Sequence, residues 1–294
     1  MRYFRRRIGY IVALVLLAST ARSQSPVPDH VVSVPVANMY SSAAEESDVV
    51  SQAILGTNIV TIEARGDWVK IRTPDGYGGW ACSAMLRPLR DSRPYAVSAS
   101  SVQVQSLFAN LYRETDVTAH KPVMTIPFES RLEIVAEGSG NDAGWIKVRL
   151  PDEATAWIQI GDVTREPKRL TIAESIALAK RFLGIPYLWG GRSSFGYDCS
   201  GFTQMLVRQR GNTMPRDAEL QAAWDGVVAI ERKDVQPGDL LFFGSSPTNI
   251  THTGMFIGGG EFIHDTTHEH PVVQISRMDD EPWTRILVAC RRVK

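Results

Sequence analysis

Cys199 is the residue in this chain best placed for covalent chemistry. It lies in the segment 198–202, Asp-Cys-Ser-Gly-Phe, and apolar residues then recur at helical spacing as far as Gly211. This spacing predicts that Cys199 is the first or second residue of an amphipathic helix. A helix start offers free backbone N–H groups and the positive end of the helix dipole, which favour a nucleophilic thiolate. The alternative is a small, buried and inert cysteine.

Two histidines further along the chain could complete a nucleophilic site. His252 begins one apolar run, and His264 ends the next. If Gly258–Gly260 forms the turn between the runs, they make a hairpin, and cross-strand neighbours lie about 5 Å apart. His252 is then the candidate base for Cys199, and His264 would bind its ring and select its tautomer. The alternative is an ordinary surface pair of histidines.

A metal site is not expected here. Four residues near the end of the hairpin have the side chains of zinc ligands: His264, Asp265, His268 and His270. Their His-x3-His-x-His spacing on a strand and turn is not a standard zinc pattern. The glycine run lacks the Lys-Ser or Lys-Thr ending of a phosphate-binding loop. The sequence therefore indicates chemistry by side chains alone, without a metal or cofactor.

The first 23 residues are predicted to be a secretion signal. Four arginines precede an apolar run at residues 8–18, and small residues follow it. Eleven apolar residues are too few for a membrane-spanning helix, so no stable membrane anchor is expected after cleavage. Cleavage would remove five arginines and no acid from a chain with 32 basic and 32 acidic residues, which leaves a net charge of −5. This negative charge argues against nucleic acid as a partner.

Three cysteines remain after removal of the signal: Cys82, Cys199 and Cys290. An odd number in an exported chain is typical of a free thiol. The sequence leaves open whether Cys82 and Cys290 pair.

The first half of the chain contains a diverged internal repeat. The segment 68–75, Trp-Val-Lys-Ile-Arg-Thr-Pro-Asp, recurs at 145–152 as Trp-Ile-Lys-Val-Arg-Leu-Pro-Asp. Trp80 and Trp157 keep the same offset of 77 residues. We therefore expect two copies of one small β module.

Each copy of the repeat has the pattern of a small β-barrel. Runs with period-2 alternation are separated by turns about every eight to twelve residues. The copies extend over about residues 28–90 and 95–165, and we interpret their tryptophans as core residues. Tyr77 has Ala154 as its counterpart, so the barrel does not need an aromatic side chain there. Tyr77 is free to face a partner or a neighbouring domain.

The pattern changes after the second repeat. Thr171 and Glu174 have the spacing of a capping box, and apolar residues at helical spacing predict a helix that ends by Gly184. The Cys199 helix follows, and strand-like runs continue to the end of the chain. Helices before an antiparallel-looking series of strands predict an α+β domain over residues 170–294.

These motifs together resemble the NlpC/P60 family of cell-wall cysteine peptidases. The resemblance rests on ordered segments: Tyr-Leu-Trp-Gly-Gly at 187–191, Asp-Cys-Ser-Gly-Phe at 198–202, Pro-Arg-Asp-Ala at 215–218, Pro-Gly-Asp-Leu-Leu-Phe-Phe at 237–243, Thr-His-Thr-Gly-Met-Phe-Ile-Gly at 251–258 and Phe-Ile-His at 262–264. It implies a papain-like fold that cleaves peptidoglycan stem peptides, commonly between γ-D-glutamate and a diamino acid. The Trp-x-Lys-x-Arg repeats are similar to bacterial SH3-like domains, so the chain resembles two SH3-like barrels followed by a papain-like domain.

The resemblance implies a role for each matching residue of the site. Cys199 matches the nucleophile, His252 the base and His264 the polar third member. Tyr187 matches a tyrosine whose hydroxyl helps to stabilise the oxyanion, together with a backbone N–H at the helix start. The alternative for Tyr187 is a simple tyrosine of the cleft wall.

Family members with two N-terminal SH3-like domains resemble this chain over nearly its whole length, and they tend to prefer stem peptides with a free N-terminal L-alanine. Positions that match the lining of their pocket are Asp198, Ser200, Trp189 and Asp217. A carboxylate at position 198 could pair with the substrate ammonium, or it could only cap the helix.

In those relatives, a tyrosine and an acid of the first barrel close one end of the cleft. Tyr77 fits the tyrosine, and Glu46 or Asp48 fits the acid. The alternative for the two acids is a solvated turn.

The sequence therefore predicts an exported cysteine peptidase, periplasmic or secreted, whose partners are peptidoglycan stem peptides. A closed cleft would restrict it to released fragments. Several alternatives stay open: a hydrolase of intact peptidoglycan, an acyltransferase or glycan-linked amidase on the same scaffold, and a non-catalytic protein whose barrels hold wall peptides. The complete Cys-His-His set favours an enzyme.

Overall fold

The computed structural model describes residues 27–294, and the predicted secretion signal, residues 1–23, lies outside the described residues. Among residues 27–294, no helix is both long and apolar enough to cross a membrane. Two seven-stranded antiparallel sheets form the first half of this range, and a six-stranded sheet with helices forms the second half.

The first barrel is the first seven-stranded sheet with its enclosed core. Its strands are β1 His30–Val32, β2 Val36–Tyr40, β3 Val49–Ile54, β4 Asn58–Arg65, β5 Trp68–Arg72, β6 Gly78–Cys82 and β7 Leu86–Pro88. They are ordered β3-β2-β6-β5-β4-β1-β7. Alternate residues such as Ala37 and Met39 face inward and are fully buried, as the period-2 pattern predicts.

The second barrel repeats the first one strand for strand. Its strands are β8 Ser101–Val104, β9 Phe108–Tyr112, β10 Met124–Pro127, β11 Arg131–Glu137, β12 Trp145–Arg149, β13 Thr155–Gln159 and β14 Val163–Thr164. Their order, β10-β9-β13-β12-β11-β8-β14, becomes the order of the first barrel when seven is subtracted from each number. The sequence repeat therefore corresponds to a repeated topology.

The tryptophans of the two barrels differ from the expectation of four core residues. Trp80 is buried, whereas the other three are half-buried. Trp68 packs edge-on against Tyr40 at a ring distance of 5.3 Å, and Trp145 makes the equivalent contact with Tyr112 at 5.5 Å. The prediction is wrong for three of the four residues because aliphatic side chains fill the two cores.

The predicted α+β domain follows the barrels. Its elements are α1 Ile172–Arg181, β15 Arg192–Ser193, β16 Gly196–Tyr197, α2 Cys199–Gln209, α3 Ala218–Ala222, β17 Val227–Ile230, β18 Leu240–Ser246, β19 Asn249–Gly258, β20 Glu261–Thr266, β21 Val272–Arg277, α4 Trp283–Ile286 and β22 Leu287–Val293. The main sheet is antiparallel in the order β17-β22-β18-β19-β20-β21. Single-turn 3₁₀ helices occupy Ser83–Met85, Arg90–Ser92, Gly140–Asp142, Ile160–Asp162 and Arg232–Asp234.

The six-stranded sheet buries both of its faces. One face packs on α1 and α2, where Phe202 and Met205 meet Phe242 and Met255. The opposite face packs on Trp283 of α4. Burial of one large apolar side chain stabilises the fold by about 1.5–3 kcal/mol, so α2 is firmly held along its length. The capping box of Thr171 at the start of α1 is present as predicted.

The two barrels and the α+β domain meet at a polar junction. Glu129 of the second barrel accepts hydrogen bonds from Arg208 of α2, at 2.9 Å from Nε and 2.6 Å from Nη2. Gln204 of α2 donates to Asp75 of the first barrel at 2.9 Å and accepts from Arg192 at 3.1 Å. Although burial opposes it, Arg208 holds the pKa of Glu129 below its ordinary value. The junction fixes α2 relative to both barrels.

We expect Glu129→Gln to destabilise the protein by about 3 kcal/mol, because the change leaves the Arg208 guanidinium largely buried without its counter-charge. Urea denaturation followed by tryptophan fluorescence measures the loss. The matched control is Glu137→Gln, which removes an exposed partner of Arg165 at 2.5 Å and should cost less than about 1 kcal/mol. Equal losses in both variants would contradict a special role for the junction.

Candidate active site

The start of α2 presents Cys199 as its first helical residue, as the spacing predicted. Asp198 is the N-cap, and its Oδ1 accepts a hydrogen bond from the backbone N–H of Gly201 at 2.7 Å. The loop before the helix packs directly on this turn: a Cβ at Gly201 would lie 2.2 Å from the carbonyl oxygen of Gly191. Only glycine at position 201 allows this approach.

The Cys199 thiol is protonated in the resting site. The residue is 7 % exposed, and burial raises the pKa of its thiol to about 12, an effect to which the Asp198 carboxylate adds. Backbone N–H groups of Thr253 and Ser200 approach the sulfur and lower the pKa, as expected at a helix start. Burial outweighs them, so the net shift of the thiol pKa is upward, although the helix start acts in the expected direction.

The two histidines lie on adjacent strands of a hairpin, as predicted. Gly258–Gly260 make the turn with positive φ values, and the ladder of β19 and β20 pairs Met255 with Ile263. Both strands extend beyond their predicted ends. His252 Nε2 lies 2.7 Å from His264 Nδ1. The pair is therefore a direct contact between imidazoles.

A third side chain continues this line of hydrogen bonds. His264 Nε2 lies 3.0 Å from Ser276 Oγ on β21. If His264 donates to Ser276 and accepts from His252, the Nδ1 lone pair of His252 stays free for a thiol proton. Burial lowers the pKa of His252 to about 3, so its ring is neutral at rest. Sequence reasoning missed Ser276, although it follows His264 by the same twelve residues that separate the two histidines.

The strand that carries His252, β19, packs against α2, the helix that begins at Cys199. The N–H that approaches the sulfur belongs to Thr253, the residue after His252. The ring of His252 lies 5.3 Å from Trp283 and 5.6 Å from Phe243, between ring centroids. These rings exclude water and fix the plane of the imidazole. The arrangement can transfer a proton from thiol to imidazole during nucleophilic attack.

Tyr187 lies close to the nucleophile. Its backbone N–H donates to the carbonyl oxygen of Pro271 at 2.8 Å, which ties the 187–191 loop to the segment between β20 and β21. Burial raises the pKa of its phenol, and the neighbouring Cys199 and Asp198 raise it further. The hydroxyl therefore stays protonated and can donate to an oxyanion. Trp189, two residues later, is 69 % exposed at the rim of the loop.

Asp198 is fully engaged within the protein. Arg216 donates to both of its oxygens, at 2.9 and 2.6 Å, and Gly190 donates its backbone N–H to Oδ2 at 3.0 Å. Ser200 Oγ donates to Asp198 Oδ1 at 3.1 Å. The helix-cap interpretation of Asp198 is confirmed, and its contact with a substrate ammonium stays a prediction. The sequence does not assign a role to Arg216, which lies in the Pro-Arg-Asp-Ala segment at 215–218.

The first barrel lies against the α+β domain on the side of the cysteine. Tyr77 Oη donates to Asp217 Oδ1 at 3.4 Å. Burial raises the pKa of Tyr77 to about 12, and Asp217 adds to the shift. In the turn that carries Glu46 and Asp48, both side chains are exposed. The structure thus brings Tyr77 to Asp217 and leaves the two turn acids in solvent.

The end of this turn packs closely against the 187–191 loop. The carbonyl oxygen of Val49, the residue after Asp48, lies 2.6 Å from the position that a Cβ at Gly190 would take. Gly190 also has a φ of +73°, so a side chain is excluded there on both grounds. This close contact places the turn next to Trp189.

The three cysteines are unpaired in the described structure. Cys82 is half-buried in the first barrel, and Cys290 is buried under the face of the sheet that packs on Trp283. Cys82 lies on β6 of the first barrel and Cys290 on β22 of the α+β domain, and both thiols are free, so the two residues do not pair.

We expect the rate of Cys199 alkylation by iodoacetamide to rise about tenfold per pH unit between pH 6 and 8, because the thiol pKa lies above this range and only the thiolate reacts. Peptide mass spectrometry measures labelling of the Cys199 peptide. The Cys199→Ser variant reports background labelling at Cys82 and Cys290. A rate that levels off below pH 7 would instead indicate a preformed thiolate–imidazolium pair.

Known proteins share this architecture. The NlpC/P60 family profile matches residues 184–292, and a bacterial SH3 domain profile matches residues 35–87. The identity of the second barrel as an SH3-like domain stays a prediction, which its strand order supports.

Two curated relatives are similar over most of the chain. A γ-D-glutamyl-L-lysine dipeptidyl-peptidase from Bacillus cereus is 32% identical over 242 residues, which cover 76% of this chain and 68% of the relative. A protein of the same name from Bacillus subtilis is 28% identical over 254 residues, 83% of this chain and 81% of the relative. The crystal structure of an NlpC/P60 family protein from Bacillus cereus superposes with a TM-score of 0.77 at 25% identity and covers 90% of this chain and 99% of that one. Since the first of these relatives is 32% identical and is covered over 68% of its length, and the NlpC/P60 profile matches residues 184–292, the chain belongs to the NlpC/P60 family of cysteine peptidases.

Proposed function

We propose that this chain is an exported endopeptidase that hydrolyses the bond between γ-D-glutamate and a diamino acid in peptidoglycan stem peptides. Its preferred substrates carry a free N-terminal L-alanine. The observation that carries the proposal is the combination of Cys199 at the start of α2 with the His252–His264 pair on β19 and β20, the strands against which this helix packs. The printed names of the two Bacillus relatives support the γ-D-glutamyl bond as the target.

The proposal divides the chain into four parts. Residues 1–23 direct export and are then removed. SH3-like barrels occupy residues 28–90 and 95–165, and the peptidase domain occupies residues 170–294. The site of action is then the periplasm or the cell exterior.

Acylation begins from a neutral thiol and a neutral imidazole. His252 takes the thiol proton as the Cys199 sulfur attacks the amide carbonyl, because a preformed ion pair is disfavoured by burial. The Tyr187 hydroxyl and a backbone N–H at the start of α2 stabilise the tetrahedral oxyanion. His252 then protonates the leaving amine, and a thioester to Cys199 remains.

Deacylation uses the same groups in reverse. His252, neutral again, accepts a proton from water that attacks the thioester. His264 holds the base in one orientation through its 2.7 Å contact, and Ser276 holds His264. The imidazolium that forms in each step is stabilised by this line of acceptors.

The substrate's N-terminal ammonium is bound where the first barrel meets the peptidase domain. Asp217 is half-buried and makes a 3.4 Å contact with Tyr77, so its carboxylate keeps capacity for a cation. Asp198 is compensated by Arg216 and acts mainly by shaping the pocket with Ser200. Either Glu46 or Asp48 supplies a second carboxylate from the barrel.

The remaining pocket residue, Trp189, offers an exposed ring on the loop beside Tyr187. An indole face can pack against the stem-peptide backbone and shield the scissile bond from water. A cleft closed by a barrel restricts the enzyme to released peptides, which fits trimming of cell-wall fragments.

We expect the mature protein to cleave L-Ala-γ-D-Glu-diaminopimelate but not the same stem attached to muramic acid, with products followed by mass spectrometry. Cys199→Ala should lower turnover at least about thousandfold, since no other group can form the thioester. The matched control is Cys82→Ser, which changes a cysteine of the first barrel. Cleavage of both substrates would remove the closed-cleft assignment, and cleavage of neither would favour a peptidoglycan-binding protein.

We expect Asp217→Asn to raise the KM for the free peptide about tenfold or more with a smaller change in kcat, because a charge-assisted hydrogen bond to the ammonium is lost. Tyr77→Phe should raise KM by a smaller factor. Steady-state kinetics on the free and N-acetylated peptides separate the effects. Glu219→Gln, on the exposed side of α3, is the control. If Asp217→Asn left the preference for a free amine intact, another acid would have to bind it.

A further inference from the structure

Asp75 and Asp152 occupy the same position in the two barrels. Asp75 lies in the turn between β5 and β6, and Asp152 lies in the equivalent turn between β12 and β13. Each carboxylate accepts a hydrogen bond from the backbone N–H two residues later, at 3.5 Å from Tyr77 and at 3.1 Å from Ala154. The two acids differ in burial: Asp152 is exposed, whereas only 7 % of the Asp75 side chain is exposed. Asp75 therefore has surroundings that the barrel fold itself does not require.

The first oxygen of Asp75 holds the turn that carries Tyr77. Oδ1 accepts hydrogen bonds from the Thr73 hydroxyl and from the Tyr77 N–H. The hydroxyl and the backbone N–H of Thr73 also lie 3.1 and 3.0 Å from the carbonyl oxygen of Tyr77. The second barrel has Leu150 in place of Thr73 and so lacks this hydroxyl. Both polar groups of the Tyr77 backbone are thus tied to Asp75, the carbonyl through Thr73.

The second oxygen of Asp75 reaches out of the barrel to α2. Oδ2 accepts a hydrogen bond from Gln204 Nε2 at 2.9 Å and lies 3.9 Å from Arg192 Nε. Gln204 is itself fixed, because its amide nitrogen donates to the carbonyl oxygen of Met214 at 2.9 Å and its oxygen accepts from Arg192 at 3.1 Å. Gln204 and Arg192 are both buried. One carboxylate therefore joins the Tyr77 turn to α2.

The charge of Asp75 strengthens this connection. Burial opposes its ionisation, but Arg192 and the hydrogen bonds from Thr73 and Gln204 hold its pKa below the ordinary value. Hydrogen bonds to an ionised acceptor are about twice as strong as those between neutral groups. The contact between Asp75 and Gln204 is therefore a charge-assisted hydrogen bond at neutral pH.

The Tyr77 turn forms the wall of the proposed cleft. The Tyr77 hydroxyl lies 3.4 Å from Asp217 Oδ1, and the ring packs on the core of the first barrel. A hydroxyl contact of this length is weak, so it does not fix the tyrosine by itself. The position of the Tyr77 hydroxyl therefore depends on what holds its backbone, and Asp75 supplies that anchor.

We propose that Asp75 is a positioning residue for substrate specificity: it anchors the Tyr77 turn to α2 and so sets the distance between Tyr77 and Asp217, where the free amine of the substrate binds. This inference deepens the proposed function and rests on it. Asp75 acts through Tyr77 and not by contact with the reacting atoms. Its loss therefore weakens peptide binding and leaves the bond-cleaving step unchanged.

The first experiment compares Asp75→Ala with Asp152→Ala by steady-state kinetics on the free stem peptide. Asp75→Ala should raise KM about three- to tenfold with kcat changed by less than about twofold, because a charge-assisted hydrogen bond that positions the binding wall is lost. Asp152→Ala removes the equivalent local bond from an exposed turn and should behave as the wild type. Equal changes in the two variants, or a fall in kcat as large as the rise in KM, would overturn the proposal.

A double-mutant cycle separates positioning from a general loss of structure. If Asp75 acts through the tyrosine, Asp75→Ala should change KM by less than about twofold in a Tyr77→Ala background. The full effect of Asp75→Ala in that background would mean that the acid acts by another route, and this would contradict the proposal.

Hydrogen exchange followed by mass spectrometry tests the anchor without a substrate. Gln204→Met removes the partner on α2 and leaves the bonds within the turn intact. The amides of residues 73–79 should then exchange about tenfold faster, and those of residues 150–156 should not change. Unchanged exchange of residues 73–79 would overturn the proposed anchor. If Gln204→Met does not fold, Asp75→Asn replaces it, since a single amide oxygen cannot accept from both the turn and Gln204.

The kinetic and exchange measurements can fail separately. Cleavage of the peptide by none of the proteins, wild type included, together with faster exchange in Gln204→Met, would contradict the proposed function and support the anchor. Normal cleavage by Asp75→Ala with the wild-type KM would contradict the role of Asp75 in specificity and leave the proposed function in place.

Discussion

The ion pair between Arg216 and Asp198 is the interaction on which the rest of the site depends. Asp198 caps α2, receives the N–H of Gly190 and binds Ser200, so one carboxylate joins the helix start to the preceding loop. Arg216 balances its charge and fixes the chain just before Asp217. A buried carboxylate without this partner would repel the sulfur beside it and destabilise the fold by several kcal/mol. Cys199, the proposed nucleophile, is therefore positioned by a network whose members do not themselves react.

Burial sets the chemistry of the site as firmly as it sets its geometry. The thiol of Cys199 and the ring of His252 are both held in neutral form, although the start of a helix favours a thiolate. The free energy required to remove a charge from water exceeds the stabilisation that a few hydrogen bonds provide. Negative charge then appears only when a carbonyl carbon is in reach of the sulfur, which protects the thiol from side reactions.

Much of this arrangement could be predicted from the sequence because it is local. The position of Cys199, the hairpin of His252 and His264, and the repeated strand order all follow from spacing within short segments. The rest depends on contacts between distant parts of the chain. Nothing local indicates that Arg216 reaches Asp198, or that packing leaves the barrel cores aliphatic. Burial also raises the pKa of the Cys199 thiol, whereas a helix start alone would lower it. Helical spacing indicates the direction in which a side chain points but not how deeply it is buried.

The contact between Tyr77 and Asp217 crosses from a separately closed sheet to the domain that holds the reacting groups. One wall of the proposed cleft therefore belongs to the first barrel, whereas Cys199, His252 and His264 all belong to the α+β domain. Mutations in the barrel can alter which peptides enter the cleft without changing the residues that cleave the bond. Mutations in the peptidase domain can alter the reaction rate without changing the barrel wall. Substrate specificity and catalytic rate can therefore evolve independently in this enzyme.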